Sequence, residues 1–458
     1  PDLIFTHRQA DRHQDHRLAS ELYVRLGEIS LDLARAAPAE EARRMRSKAL
    51  AAFQAAQTPR LRGRDPLWWA EVKMRIARAS LVIGEADGDV TAMRDGVVAA
   101  KAALRVMGPG IVAERAARAL GVLGDIFAAL ARAERVLGGE HQAFRDRWMP
   151  LPSAPSDWAR HPTTGKSFPD VPWWQVPMLS PELGDIKSVW EAGRFAWGYD
   201  LIRGFLITAD ERYVEAFFER LAAWCESSPP FRGPHWACGQ ETAIRAVMLV
   251  YAAGAFGKAQ STTPARRALL SDVLGWSGER IREGIGYAIS QRNNHAISEA
   301  AGLVVIGLEL DGRHPDAAAW HRFGTELLGR LIEEQVAADG WYIQHSFNYL
   351  RLALDQCVVA QRALLSRARS LPEAAVDRLK AAGQFLSVVI DPMSGEVPNH
   401  GANDGALVHP TSSGGSRDFR PVCTALAATF GFGLPGGVEP DLETLAWLGA
   451  TAAPPPPG

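Results

Sequence analysis

Asn293, Asn294 and His295 stand side by side in QRNNHAISEAAGL, residues 291–303, where an apolar run with helical spacing begins. A helix capped by Asn294 and starting at His295 would carry Glu299 and the apolar face Ala300, Leu303, Val304 and Leu308. Capping accounts for one asparagine. It leaves a second amide and an imidazole without a purpose.

Four other stretches gather groups of the same kind. In GDIKSVWEAGRFAW, Asp185, Lys187, Trp190, Glu191 and Arg194 sit at a helix start, and Glu191 and Arg194 have the spacing of a structural ion pair. In GPHWACGQETAIRAVML, Glu241 and Arg245 have the i, i+4 spacing of another pair. Trp236 beside Gln240 there also suits the grip of a sugar ring. In ADGWYIQHSFNYLRLALDQ, Asp339-Gly340 makes a turn, His345 lies in a polar-aromatic stretch, and Asn348-Tyr349 leads into a helix. Tyrosines at helix starts are often packed rings with a wet hydroxyl. PNHGANDGA sets Asn399, His400, Asn403 and Asp404 among glycines, on a loop where so much polarity has no core role to fill.

Together these loops contribute amides, imidazoles and a phenol to one face. There is no metal-ligand cluster among them, no nucleotide-binding loop and no Ser-His-Asp signature. Proton transfer on a polar substrate is the chemistry that fits, with no cofactor and no metal expected.

The elements that would position these groups are helices. Helical patterns run over about 185–205, 210–227, 239–257, 264–288, 295–310, 315–337, 348–366 and 372–390, and strand-like alternation is nearly absent. Helices of this length, joined by alternately short and long loops, predict antiparallel hairpins in a ring or bundle. Ahead of them, residues 151–174 pack prolines and tryptophans into an irregular lead-in. Residues 23–148 form an Ala-, Arg- and Leu-rich helical region in which 68–88 and 112–135 echo each other at roughly 45 residues. That region is either a plain scaffold or a surface for a protein partner. At the start of the chain, DLIF reads as a buried strand and THRQADRHQDHR as a polar loop, with His13 and His16 three apart beside Asp11 and Asp15. The loop is either solvated or a site for a divalent metal.

The 458 residues, 47% hydrophobic and 22% charged, describe a chain with a substantial core. A net charge of -2 gives no basic excess to meet nucleic acid. Cys225, Cys238, Cys357 and Cys423 are scattered, with neither a disulfide framework nor a zinc spacing. No apolar run is long enough to span a bilayer, and the first residues are too polar for a secretory signal. The compartment is left open.

DIKSVWEAGR, WACGQETAIRA, NNHAISEAAGL, DGWYIQHSFNY and PNHGANDGA occur in the order and approximate spacing of the heparinase II/III-like polysaccharide lyases, which the chain resembles over about residues 150–450. The resemblance implies an incomplete all-α (α/α) toroid over 149–450 and β-elimination on a uronic-acid polysaccharide, an anionic partner. By motif position it makes Asn294 the neutraliser of the uronate carboxylate and His295 its partner or a base. Tyr349, 54 residues after His295, becomes the acid and a candidate base. Trp236, Gln240 and Glu241 would bind sugar, with Asn293, His345, Asn399, His400 and Asn403 lining the cleft. His400 stands where the family pattern leads one to expect an aromatic residue. Residues 451–458 read as a Pro-rich linker toward the family's β-sandwich, so weak or no lyase activity is expected of this chain alone. Residues 1–22 resemble the late histidine motif of the PIG-L/LmbE-type N-deacetylases, in which His16 would be a metal ligand. The earlier His-Pro-Asp-Asp-type motif of that family is not in this sequence, so no deacetylase activity is expected.

Overall fold

The computed structural model describes residues 12–34, 37–57, 66–87, 92, 95, 96, 98, 99, 128–144, 147–405, 407–412, 414–434 and 436–449. The chain divides into two compact units, one within residues 1–131 with 204–210 and the other within 132–203 with 211–458.

In the first unit, α1 (Arg12–Ala34), α2 (Ala39–Ala55) and α3 (Pro66–Asp87) pack on one another. Their core is Val24, Ala49, Phe53, Ala56, Val72, Ile76 and Ala77. Gly27 lets α1 approach α2, since a Cβ there would meet the Phe53 ring at 2.5 Å. Ser20 ties the three segments together: its hydroxyl donates to the Ala56 carbonyl at 2.8 Å and accepts from Trp68 Nε1 at 2.9 Å. The polar loop expected around His13 and His16 is instead helical from Arg12 and continues past residue 22. The stretch holds no glycine or proline, and its Arg, Gln and Leu are good helix formers. The side chains of His13 and His16 and the strand expected at DLIF lie outside the described residues. So does most of the second repeat copy, of which 128–135 is helical.

Residues 128–137 are helical, and beyond them come two short antiparallel hairpins that the sequence reading missed. They are β1 (Glu140–Ala143) with β2 (Arg147–Pro150), and β3 (Leu179–Ser180) with β4 (Gly184–Asp185). Helices follow: α4 (Lys187–Gly193), α5 (Trp197–Thr208), α6 (Glu211–Ser227), α7 (Gly239–Phe256), α8 (Pro264–Gln291), α9 (Asn294–Glu309), α10 (Ala317–Gln335), α11 (Phe347–Leu365), α12 (Glu373–Val389), α13 (Arg420–Phe430) and α14 (Leu442–Leu448). The single helix expected over 185–205 is two, because Phe195 takes a left-handed turn at φ 60° between α4 and α5.

Alternate helices touch: α7, α9, α11 and α13 form one layer, and α8, α10 and α12 a second. This is an all-α array of helix hairpins in two layers, an incomplete (α/α) toroid. Helix α9 is its centre, buried continuously from Ala296 to Leu308. Small residues allow that depth. Gly302 lies where a Cβ would press on Ala243 at 2.8 Å, and Gly324 of α10 faces the Ala300 carbonyl at the same distance. Among the described residues, no helix is long and apolar enough to cross a membrane.

Candidate active site at the helix starts

The inner helices α7, α9 and α11 all begin in the same polar network, joined by the start of α4. At α9, Arg292 ends α8 in the left-handed conformation and turns the chain one residue earlier than the sequence pattern suggested. Asn293, not Asn294, is therefore the cap: its Oδ1 accepts from the His295 amide at 2.9 Å. Its carbonyl accepts from Gln335 Nε2 at 3.2 Å, and Gln335 Oε1 accepts from the buried Tyr342 hydroxyl at 3.1 Å. The Asn294 amide donates to Gln344 Oε1 at 3.0 Å. With the capping done by its neighbour, the buried Asn294 keeps its own side-chain amide for other partners.

His295 is half-buried on the first turn, its Nδ1 3.8 Å from Cys238 Sγ. Burial lowers its pKa most, Lys187 adds to this, and Glu241 opposes it. The imidazole is thus neutral at neutral pH.

Glu241, on the first turn of α7, is buried and accepts from Arg194 Nε at 2.6 Å and Nη2 at 2.8 Å. Arg194 also bonds Glu191, as its spacing predicts. The expected Glu241–Arg245 pair does not form. Arg245 points the other way, donating to the carbonyls of Gly193 and His235 at 3.2 and 3.0 Å and lying over the rings of Trp224 and Trp236. Trp236, expected to grip sugar, is 0% exposed, and its Nε1 donates to the Ser228 carbonyl. It is core. Gln240 is buried on the same first turn.

At α11, Ser346 is the cap, accepting from the Tyr349 amide at 3.1 Å and donating to the Ala402 carbonyl at 2.6 Å. This fastens the glycine-rich loop to the helix start. Gly401, at φ 79°, has no room for a side chain, since a Cβ would lie 2.0 Å from the His345 carbonyl. The loop delivers Asp404, which accepts from the Tyr349 hydroxyl at 3.0 Å, from Asn348 Nδ2 at 3.2 Å and from Lys187 Nζ at 3.5 Å. Burial, then the charge of Asp404, pushes the Tyr349 pKa up to about 12, so the phenol is protonated.

The remaining expected residues gather beside this network. His345 Nδ1 accepts from Trp341 Nε1 at 2.7 Å, and the His400 ring lies 6.0 Å from that indole. Asn403 Nδ2 donates to Asn399 Oδ1 at 2.9 Å. Asn399, His400 and Asn403 line an open cleft of about 360 Å³ with Asn348, Arg351 and Arg417. Among the described residues, no group of three or more His, Cys, Asp or Glu side chains is placed to hold a metal ion.

A family model described as Heparinase II/III N-terminus matches residues 155–399, more than half of the chain. The chain belongs to the heparinase II/III family. A curated relative within reach of this family member is the heparin-sulfate lyase of Bacteroides thetaiotaomicron, 26% identical over 163 residues, a match covering 34% of this chain and 22% of that protein. Among solved structures, Heparinase III is similar at 17% identity and TM-score 0.43, covering 66% of this chain and 45% of the other. The heparan sulfate lyase of Pedobacter heparinus is similar at 16% identity and TM-score 0.42, covering 72% and 46%. The match thus spans about a fifth of the curated relative and less than half of each solved chain.

Within this network of the heparinase II/III-family chain, sequence reasoning passed over Asp404, Lys187, Arg194 and Cys238. Asp404 was visible as the one acid in the glycine-rich loop, but nothing in spacing linked it to a tyrosine 55 residues earlier.

Proposed function

We propose that the chain is the toroid part of a polysaccharide lyase that cleaves a uronic-acid polysaccharide by β-elimination. The observation that carries this reading is one pairing of groups. A neutral imidazole beside a buried amide, His295 with Asn294, belongs to the same polar network as a protonated phenol, Tyr349, held on Asp404.

The C5 proton of a uronate is a poor acid while the adjacent carboxylate is charged. Donors fixed on that carboxylate stabilise the enolate-like charge that builds as the proton leaves. Asn294 supplies such a donor, with His295 beside it. Tyr349 is protonated at rest, which suits delivery of a proton to the departing O4. Acting also as the base toward C5 would require the phenol to lose its own proton first, so its protonated resting state favours the acid role. Gln240, Glu241, Asn293, His345, Asn399, His400 and Asn403 serve as the polar lining that holds the sugar chain. The heparin-sulfate lyase named above makes sulfated uronans one candidate class among several.

The test is to follow ultraviolet absorbance of the unsaturated product with alginate, heparan sulfate and hyaluronan, using the chain alone and joined to a β-sandwich domain. Product from at least one uronan, lost in Tyr349→Phe, is expected. Absence of product from every uronan in both forms overturns the reading. Binding without product would favour a carbohydrate-binding role instead.

A further inference from the structure

Arg351 lies one turn beyond Asn348 on α11 and has no part in the scheme above. It is 3% exposed, and its guanidinium reaches in two directions. Nη1 donates to the Ser416 carbonyl at 2.6 Å, and Nη2 donates to Asn348 Oδ1 at 3.2 Å. The Phe419 ring covers it, 4.6 Å from Cζ. The other end of the buried Asn348 amide, Nδ2, donates to Asp404 at 3.2 Å, and Asp404 holds the Tyr349 hydroxyl at 3.0 Å. Chemistry dictates the order of these bonds. An arginine only donates and a carboxylate only accepts, so an amide between them turns its oxygen to the first and its nitrogen to the second. Turned over, it would lose both bonds.

We propose that Arg351 is a positioning residue for Tyr349, acting through Asn348: it fixes the amide that grips Asp404 and so holds the carboxylate on the phenol. The same guanidinium fastens the far end of the segment that carries Asp404. Ser346 ties that segment to the start of α11, donating to the Ala402 carbonyl at 2.6 Å. Beyond Asp404 it is tied again, through Ser416 and Phe419. One arginine thus supplies both the second tie and the orientation of the amide. A lysine, a point donor on a flexible stem, cannot reproduce that fork. Arg351 stands at the floor of the cleft lined by Asn399, His400 and Asn403, yet it is too buried to meet a sugar. That the phenol so held is the acid of a lyase rests on the proposed function, whereas the chain of bonds does not.

Tyrosinate absorbance followed against pH, with Tyr349 assigned by its loss in Tyr349→Phe, tests this without substrate. Asn348→Ala and Arg351→Met should each bring its tyrosinate on at lower pH, toward the titration of Asp404→Asn, because the released carboxylate leaves the phenol. In the double variant, Arg351→Met should add nothing to Asn348→Ala. A titration unmoved or moved to higher pH in either single variant overturns the proposal. So does a further shift in the double variant, which an arginine acting only through the loop would produce. Asp355, one turn further along α11, lies in the field of the same charge. Arg351→Lys keeps that charge without the fork, and the same downward shift is expected of it if Arg351→Met does not fold. In a form active on a uronan, Arg351→Lys should lower kcat about tenfold or more with KM unchanged. A raised KM with kcat unchanged would make the arginine a sugar contact and overturn the proposal. Failure of the lyase assay with the titrations as expected overturns only the functional reading.

Discussion

Tyr349 donates its hydroxyl hydrogen to Asp404 at 3.0 Å, and the same carboxylate is held by Asn348 and Lys187. The charge of Asp404 is one of the causes that keep the phenol protonated up to about 12. Asp404→Asn should therefore lower the pKa of Tyr349, read as tyrosinate absorbance that appears at lower pH and is missing in Tyr349→Phe. Under the proposed mechanism, Tyr349→Phe should reduce turnover at least about 10²-fold. A tyrosinate titration unmoved by Asp404→Asn would break the link between the two residues.

Glu299 makes stability depend on pH. Burial raises its pKa from 4.5 to about 8, with Arg280 pulling the other way. The folded state then binds this proton more tightly than the unfolded chain does. Its contribution is fully present below the unfolded value and is lost as the pH rises through about 8. Urea unfolding at about pH 5 and about pH 9 should differ on this account by a few kcal/mol, to order of magnitude. Glu299→Gln should flatten the decline, and an equal decline in the variant would assign it to other groups.

Trp236 is buried against Trp224 and Phe231 and beneath Arg245. Trp236→Ala should cost about 3–5 kcal/mol of stability, the range for large buried aromatics. Chemical unfolding measures this directly. A variant of unchanged stability with weakened sugar binding would restore the ring to the cleft.

Asn293 and Asn294 should differ in what their removal costs in stability. Removing the cap with Asn293→Ala is expected to cost about 1 kcal/mol of stability. Asn294→Ala should instead weaken uronan binding or turnover more than its effect on stability accounts for. Paired denaturation and binding measurements on the two variants check the assignment, which reverses if Asn294→Ala carries the capping loss.

The helical frame was legible because its signals are local. Apolar spacing placed α6 to α12 to within a few residues, and the serine, glycine and proline punctuation marked their ends. The helix starts that carry the site were legible as motifs for the same reason. What spacing could not show was where each side chain turns. Glu241 has an arginine four residues along its own helix and pairs instead with Arg194, 47 residues away. Trp236 looks like a sugar platform beside Gln240, yet burial on all sides makes it core. Asn293 took the cap from Asn294 because Arg292 turned left-handed, a backbone choice that residue type alone does not announce.

The shared starting point of α7, α9 and α11 has an electrical consequence. The amides of a helix's first turn have no partner within the helix, which leaves its end with about half a positive charge. Three such ends open into one polar network, with His295, Glu241 and Tyr349 on their first turns. An anionic group entering there meets an attraction built into the backbone, which no titration removes and which is already in place before any lysine or arginine is counted.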